Sequence, residues 1–268
     1  MIKKALKYIS LYFKFNLLYI KTQLMYPKDF IIWFIFGSFS TIINIFFMKV
    51  IYYNTPLLGN WDYYQTLMIL GYSSTSIGLF NIFFINIFSL GSSYIIEGKL
   101  DKFLIRPINV LFQLLVERID LDNISELIIG VFLIVYSALK IGYEINVFLI
   151  LFSIVFIIFS VFTLLGLFLI FASTNFWLQE KINFIPILYS LFNFSRFPIT
   201  IFNKKIKLIL TFIMPYFYLG YYPVNFLLKI DTKYVYKIFY QPILCLIFLT
   251  IGGIVWKIGL SKYESTSI

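Results

Sequence analysis

The densest mixture of charge in this sequence is the stretch Ile95-Ile96-Glu97-Gly98-Lys99-Leu100-Asp101-Lys102-Phe103-Leu104-Ile105-Arg106-Pro107, which follows 34 charge-free residues from Tyr63 to Ile96. Phosphate chemistry would need Gly-x-x-x-x-Gly-Lys-Ser/Thr, so that backbone N–H groups and a lysine cradle the phosphates. Gly98-Lys99-Leu100 lacks both the upstream glycine and the hydroxyl. The chain has no His, the commonest general base and metal ligand, and its one cysteine, Cys245, lies in an apolar run. Recognition is what remains. Taken as a helix, Ile96, Leu100, Phe103 and Leu104 share one face. Glu97 and Asp101 are four apart, as are Lys102 and Arg106 on a neighbouring face, and Pro107 ends the helix at Arg106. Such a segment either docks a partner or is a solvated loop helix that serves topology.

The elements around it must be membrane spans. Of 268 residues, 61% are hydrophobic and 13% charged, where a soluble domain carries about 25% charged residues. Apolar runs of 18 or more residues indicate a polytopic membrane protein. The 33 Phe and 21 Tyr supply lipid-facing bulk and interfacial rings. The net charge of +10 sits mostly beside apolar runs. Positive-inside topology and anionic lipid therefore explain it better than nucleic acid. Lysines recurring through the first 28 residues interrupt any signal-peptide core.

In chain order, residues 1–29 are expected to form an amphipathic helix on the membrane surface. Lys7, Lys14, Lys21 and Lys28 form its basic stripe and Leu6, Ile9, Phe13, Leu17, Ile20 and Leu24 its apolar one. Spans are expected at about 30–51, 64–90, 123–140, 146–172, 182–202 and 238–257, with the charged segment lying within 91–122. Asn123 or Ser125 is expected to cap the third span. The run 208–228 contains Pro215, Gly220 and Pro223, which argues for broken, re-entrant half-helices over 203–230 rather than a straight span. Six spans place both termini in the cytoplasm and thirteen of the 22 Lys and Arg inside, with Arg196 among those outside. A full span over 208–228 would instead put the tail outside.

Ser73, Ser74 and Ser76, with Gly71, Thr75 and Gly78, give the second span a small-residue face suited to helix packing. With the aromatic cluster Tyr216, Tyr218, Tyr221 and Tyr222, these serines are also the candidate lining of a translocation pathway.

Glu97-Gly98-Lys99-Leu100-Asp101, Leu104-Ile105-Arg106-Pro107 and the following Leu111-Phe112-Gln113 resemble the signature of an ABC transporter permease family of the type-2 exporter class. Two further stretches are similar to that family. One is Arg196-Phe197-Pro198-Ile199 with Pro215 and Tyr221-Tyr222-Pro223. The other is Trp256-Lys257, Leu260 and Tyr263-Glu264-Ser265-Thr266. Ser267 stands where Gly usually follows, and Lys204-Lys205 is more basic than usual. The resemblance implies an all-α, multi-pass subunit of a cell membrane, bacterial in type. It would pair with a second permease, identical or not, and with two cytoplasmic ATPases that hold the ATP and Mg. The segment 94–106 would be a coupling helix seated on the ATPase, residues 1–29 a connecting helix, and 197–228 re-entrant outer helices. The chain itself would bind no cofactor and catalyse nothing.

An ion-coupled secondary transporter is the main alternative. It would need ionisable residues deep in the bilayer, whereas Glu126, Lys140 and Arg196 are read as lying near span ends. The lack of paired intramembrane carboxylates disfavours an enzyme, and a membrane insertase stays open.

Overall fold

A computed structural model describes residues 11–12, 16–17, 19–22, 25, 27–178 and 184–264. Most of the amphipathic helix expected over 1–29 lies outside the described residues.

Pro27, well suited to a first helical turn, opens α1 (Pro27–Asn54). This helix stands apart from the rest of the chain: only 6% of its most apolar stretch is buried, against 50% for the second span. It touches the third span where the side chains are small. A Cβ on Gly37 would come within 2.5 Å of Ser125 Oγ.

Asp62 caps α2 (Tyr63–Phe84) through a reciprocal capping box with Gln65, at 2.8 and 2.9 Å. The helical run continues through a 3-10 turn (Ile85–Ser89) and a π-helical turn (Leu90–Ile96). Its small-residue face packs helices, as expected. Added Cβ atoms on Gly71 and Gly130 would meet opposing backbone at 2.9 and 2.6 Å, so α2 and α5 (Ile124–Ile141) can approach closely only with glycine there. The cap of α5 is not as expected. Asn123 and Ser125 make no capping bond; a 3-10 turn, Leu121–Asn123, precedes the helix, and Asp120 accepts from the Asp122 N–H at 3.2 Å.

Gly142, at φ +78°, ends α5, and Asn146 caps α6 (Val147–Ser173), which runs on into the short α7 (Asn175–Leu178). The last helix, α11 (Gln241–Leu260), seats on α6 where Gly166 faces Phe248 and Gly252. Five helical stretches among the described residues are long and apolar enough to cross a membrane: Phe30–Asn54, Tyr63–Ile96, Leu121–Ile141, Val147–Leu178 and Thr232–Leu260.

The stretch expected to span over 182–202 is broken. It forms α8 (Ile185–Phe192) and a 3-10 turn, Asn193–Arg196, then extends at Phe197 and Pro198. A residue before proline is pushed out of the helical region, and Phe197 obeys at φ −117°, ψ 153°. The run 208–228 is also not one helix. A basic turn, α9 (Lys204–Leu208), leads through a π turn to Pro215. A 3-10 turn at Tyr216–Tyr218 and Gly220 then precede α10 (Tyr221–Leu228).

Candidate functional site

The charged segment is built around a reversal at Gly98. Its φ of +70° is a conformation that Gly adopts freely and other residues resist. The bonds Glu97 N–H to Ser92 O (3.1 Å) and Leu100 N–H to Tyr94 O (2.9 Å) close the π turn around it. After the reversal the chain forms one turn, α3 (Asp101–Leu104), stops at Pro107, and restarts as α4 (Val110–Val116), capped by Asn109 at 3.0 Å. The Gln113 amide donates to the carbonyls of Phe103 (3.1 Å) and Ile108 (3.0 Å), pinning the hairpin shut. The hairpin then runs back along α2: Asn86 donates to Leu114 O at 3.0 Å and the Asp120 N–H to Ile82 O at 3.0 Å.

The continuous helix expected over 94–106 is therefore divided, and so is its expected face. Leu100 and Phe103 are buried in the core, while Ile96 and Leu104 are about half exposed and Ile105 is 84% exposed. Gly98 is the cause, since it turns α3 out of register with the helix before it. The outcome is a tip, Leu104-Ile105-Arg106-Pro107, exposed throughout and standing on a buried anchor.

The segment's charges are mostly spoken for. Lys99 pairs with Glu97 at 2.7 Å on the surface. Glu117 takes both Lys102 and the Tyr94 hydroxyl, and Lys102 lies 4.9 Å over the Phe103 ring. Arg106 remains exposed at the rim of a small pocket of about 210 Å³, floored by Phe103, Phe112 and Gln113. The Tyr263 hydroxyl donates to Asp101 at 3.0 Å, and Phe176 links Tyr263 to Trp256 edge-on. Burial, reinforced by the Asp101 carboxylate, pushes that hydroxyl up to about 12, so it remains a donor at neutral pH. The tip is thus tied to the ends of α2 and α11 together. The tie between Tyr263 and Asp101 was not legible, because 162 positions separate them.

The candidate pathway residues are all buried. Ser73 donates to the Ser195 carbonyl at 3.0 Å and faces Gly220, while Ser74 and Ser76 present hydroxyls with no partner among the described residues. Tyr216 donates to Leu188 O at 2.8 Å, Tyr222 shares a bond with Thr211 at 3.0 Å, and the Tyr218 hydroxyl has no partner among the described residues. Tyr221 donates to Asp231 at 2.6 Å, and Trp61 Nε1 donates to the same carboxylate at 2.7 Å. In this conformation these side chains brace the broken segment against α2 and the 55–62 loop. Asp231, the hub of that brace, was missed because it reads as an ordinary loop acid.

Arg196 and Glu126, both expected near span ends, face each other at 3.8 Å with side chains only 10% and 14% exposed. Glu126 lies in the first turn of α5, close to the start of the apolar stretch Leu121–Ile141. The sequence signal that could have found this pair is periodic: Tyr189, Asn193 and Arg196 share one helix face, as do Gly37, Ser40 and Asn44.

A family model described as ABC-2 family transporter protein matches residues 30–267. No curated protein and no solved structure matches the chain.

Proposed function

The chain belongs to the ABC-2 family of transporter proteins, and from that premise we propose that it is the membrane-spanning permease subunit of an ATP-driven exporter, moved by separate ATPase subunits. ATP and Mg belong to the partner, since no segment of this chain has the residues of a phosphate cradle. The observation that carries the reading is the exposed Leu104-Ile105-Arg106-Pro107 tip on its buried Leu100 and Phe103 anchor.

The mechanics follow from those contacts. The apolar tip and Arg106 seat in a groove of the ATPase. Gln113 keeps the tip from hinging on its own, and Leu100, Phe103 and the Tyr263–Asp101 bond pass its displacement to α2 and α11. ATP-driven closure of the partner then changes the relative stability of two arrangements of the spans. In this reading the broken stretch around 182–202 makes the sixth crossing, 203–230 is re-entrant from the outside, and both termini are cytoplasmic. A second permease copy or homologue completes the transporter.

The test is co-purification with the ATPase after Leu104→Glu and Ile105→Glu, alone and together. Both positions are exposed, so membrane insertion and melting temperature should stay near wild type, while ATPase recovery should fall at least about tenfold. Undiminished recovery would refute the assignment.

A further inference from the structure

Small and polar residues recur at helical spacing on two helices that are otherwise strongly apolar: Gly37, Ser40 and Asn44 on α1, and Tyr189, Asn193 and Arg196 on α8 and its 3-10 extension. Spacings of three and four put each trio on one face. The two faces meet over the first turn of α5 and line, with Ser125 and Glu126, a cavity of about 480 Å³. That lies within the roughly 300–1,000 Å³ of small-molecule sites.

The cavity is polar between otherwise apolar helices, and two of its buried groups are left without a hydrogen bond among the described residues. Arg196 is 8% exposed and its Nε–H has no hydrogen-bond partner among the described residues, nor has the fully buried Ser125 hydroxyl. Glu126 meets the far end of the guanidinium at 3.8 Å, beyond hydrogen-bond length. Unmet buried donors are unfavourable, so a residue set of this kind is matched to a ligand rather than to itself. The unmet groups can both donate, so the matching ligand is rich in oxygen acceptors. A guanidinium fork fits a phosphate or carboxylate. Glu126 supplies the counterpart for a cation or hydroxyl beside that anion. The exposed lining residues, where the cavity opens, are Ser40, Tyr189 and Asn193, and beside Ser40 the side chains of Phe36, Phe39 and Phe47 are 65%, 60% and 57% exposed. Hydrocarbon can lie along that surface while a head group enters the cavity.

We infer that the cavity between α1, α5 and α8 is a binding subsite for the head group of an amphiphile bearing a phosphate or carboxylate next to an ammonium or hydroxyl. The inference rests on the permease reading and names the class of molecule it would carry.

The test is equilibrium binding of radiolabelled lysophosphatidylethanolamine to the full chain purified in a nonionic maltoside detergent. Two competitors separate the sources of affinity: the monoacylglycerol of the same chain length, which lacks the anion, and free phosphoethanolamine, which lacks the chain. Saturable binding is expected, with both competitors at least about tenfold weaker. Arg196→Gln should reduce affinity about tenfold or more, and Arg196→Lys, which keeps the charge but not the fork, by less. Ser40→Phe plugs the mouth from an exposed position and should abolish binding without depending on the stability of the ion pair. Wild-type affinity in Ser40→Phe, or a monoacylglycerol that competes equally, would overturn the inference. ATPase co-purification is measured on the same wild-type sample. Recovery of the ATPase without probe binding sinks the subsite alone, whereas binding without recovery upholds the subsite and sinks the permease reading.

Discussion

Two groups of charged residues in this protein solve opposite problems. The segment from Glu97 to Asp120 crowds acids and bases together at a membrane boundary, where each finds a neighbour or solvent: Glu97 with Lys99, Glu117 with Lys102, Asp120 with Arg118. Glu126 and Arg196 are isolated in sequence, come from different elements, and meet inside the protein at 3.8 Å. In the first group the charges are cheap individually and the apolar anchor beneath them holds the shape. In the second the charges are largely withdrawn from solvent in a polar cavity, and they are themselves the feature the fold must accommodate. On the proposed function the first group serves a partner's surface, and on the inference above the second serves a ligand.

That contrast can be broken in graded steps. Arg196→Leu leaves Glu126 buried and unpaired, and should destabilise the protein by about 3–5 kcal/mol. Removing both charges together, as Glu126→Gln with Arg196→Gln, should recover much of that loss in thermal melts. Strict additivity of the two single variants would show that they do not interact. Leu100→Ala removes a fully buried side chain from the anchor and should cost about 2–5 kcal/mol while leaving the surface pairs intact. An effect below about 1 kcal/mol would mean that the anchor does not hold the tip. Gln113→Ala removes two hydrogen bonds to backbone, worth about 1–2 kcal/mol together, and should uncouple ATPase turnover from transport more than it lowers the melting temperature. At the bottom of the scale, Lys99→Ala breaks a solvent-exposed pair and should change stability by less than about 1 kcal/mol. If it matters as much as Arg196→Leu, burial is not what separates the two groups.

The same contrast explains what was legible. Spans one to four and the last one follow from uninterrupted apolar runs, and the charged segment from its local density. Three features needed the fold. Gly98 was visible as part of a motif, but its positive φ, which splits the expected helix, belongs to the packing of Leu100 and Phe103 beneath it. Phe197 and Pro198 interrupt the stretch expected as a span at 182–202, where hydropathy alone sees an apolar run. The Asp231 hub joins residues far apart in the chain, and pairing of that kind leaves no local pattern.

The central claim is that the Leu104–Pro107 tip meets an ATPase. Cys245 is the only cysteine and is buried, so a cysteine placed at an exposed position is the reactive one. Ile105→Cys and Tyr53→Cys put that thiol at 84% and 91% exposed positions at opposite ends of the long helices. A bifunctional thiol-to-amine reagent applied to the intact membrane complex should cross-link position 105 to the ATPase and leave position 53 unlinked. A cross-link from position 53, with none from position 105, would contradict the account.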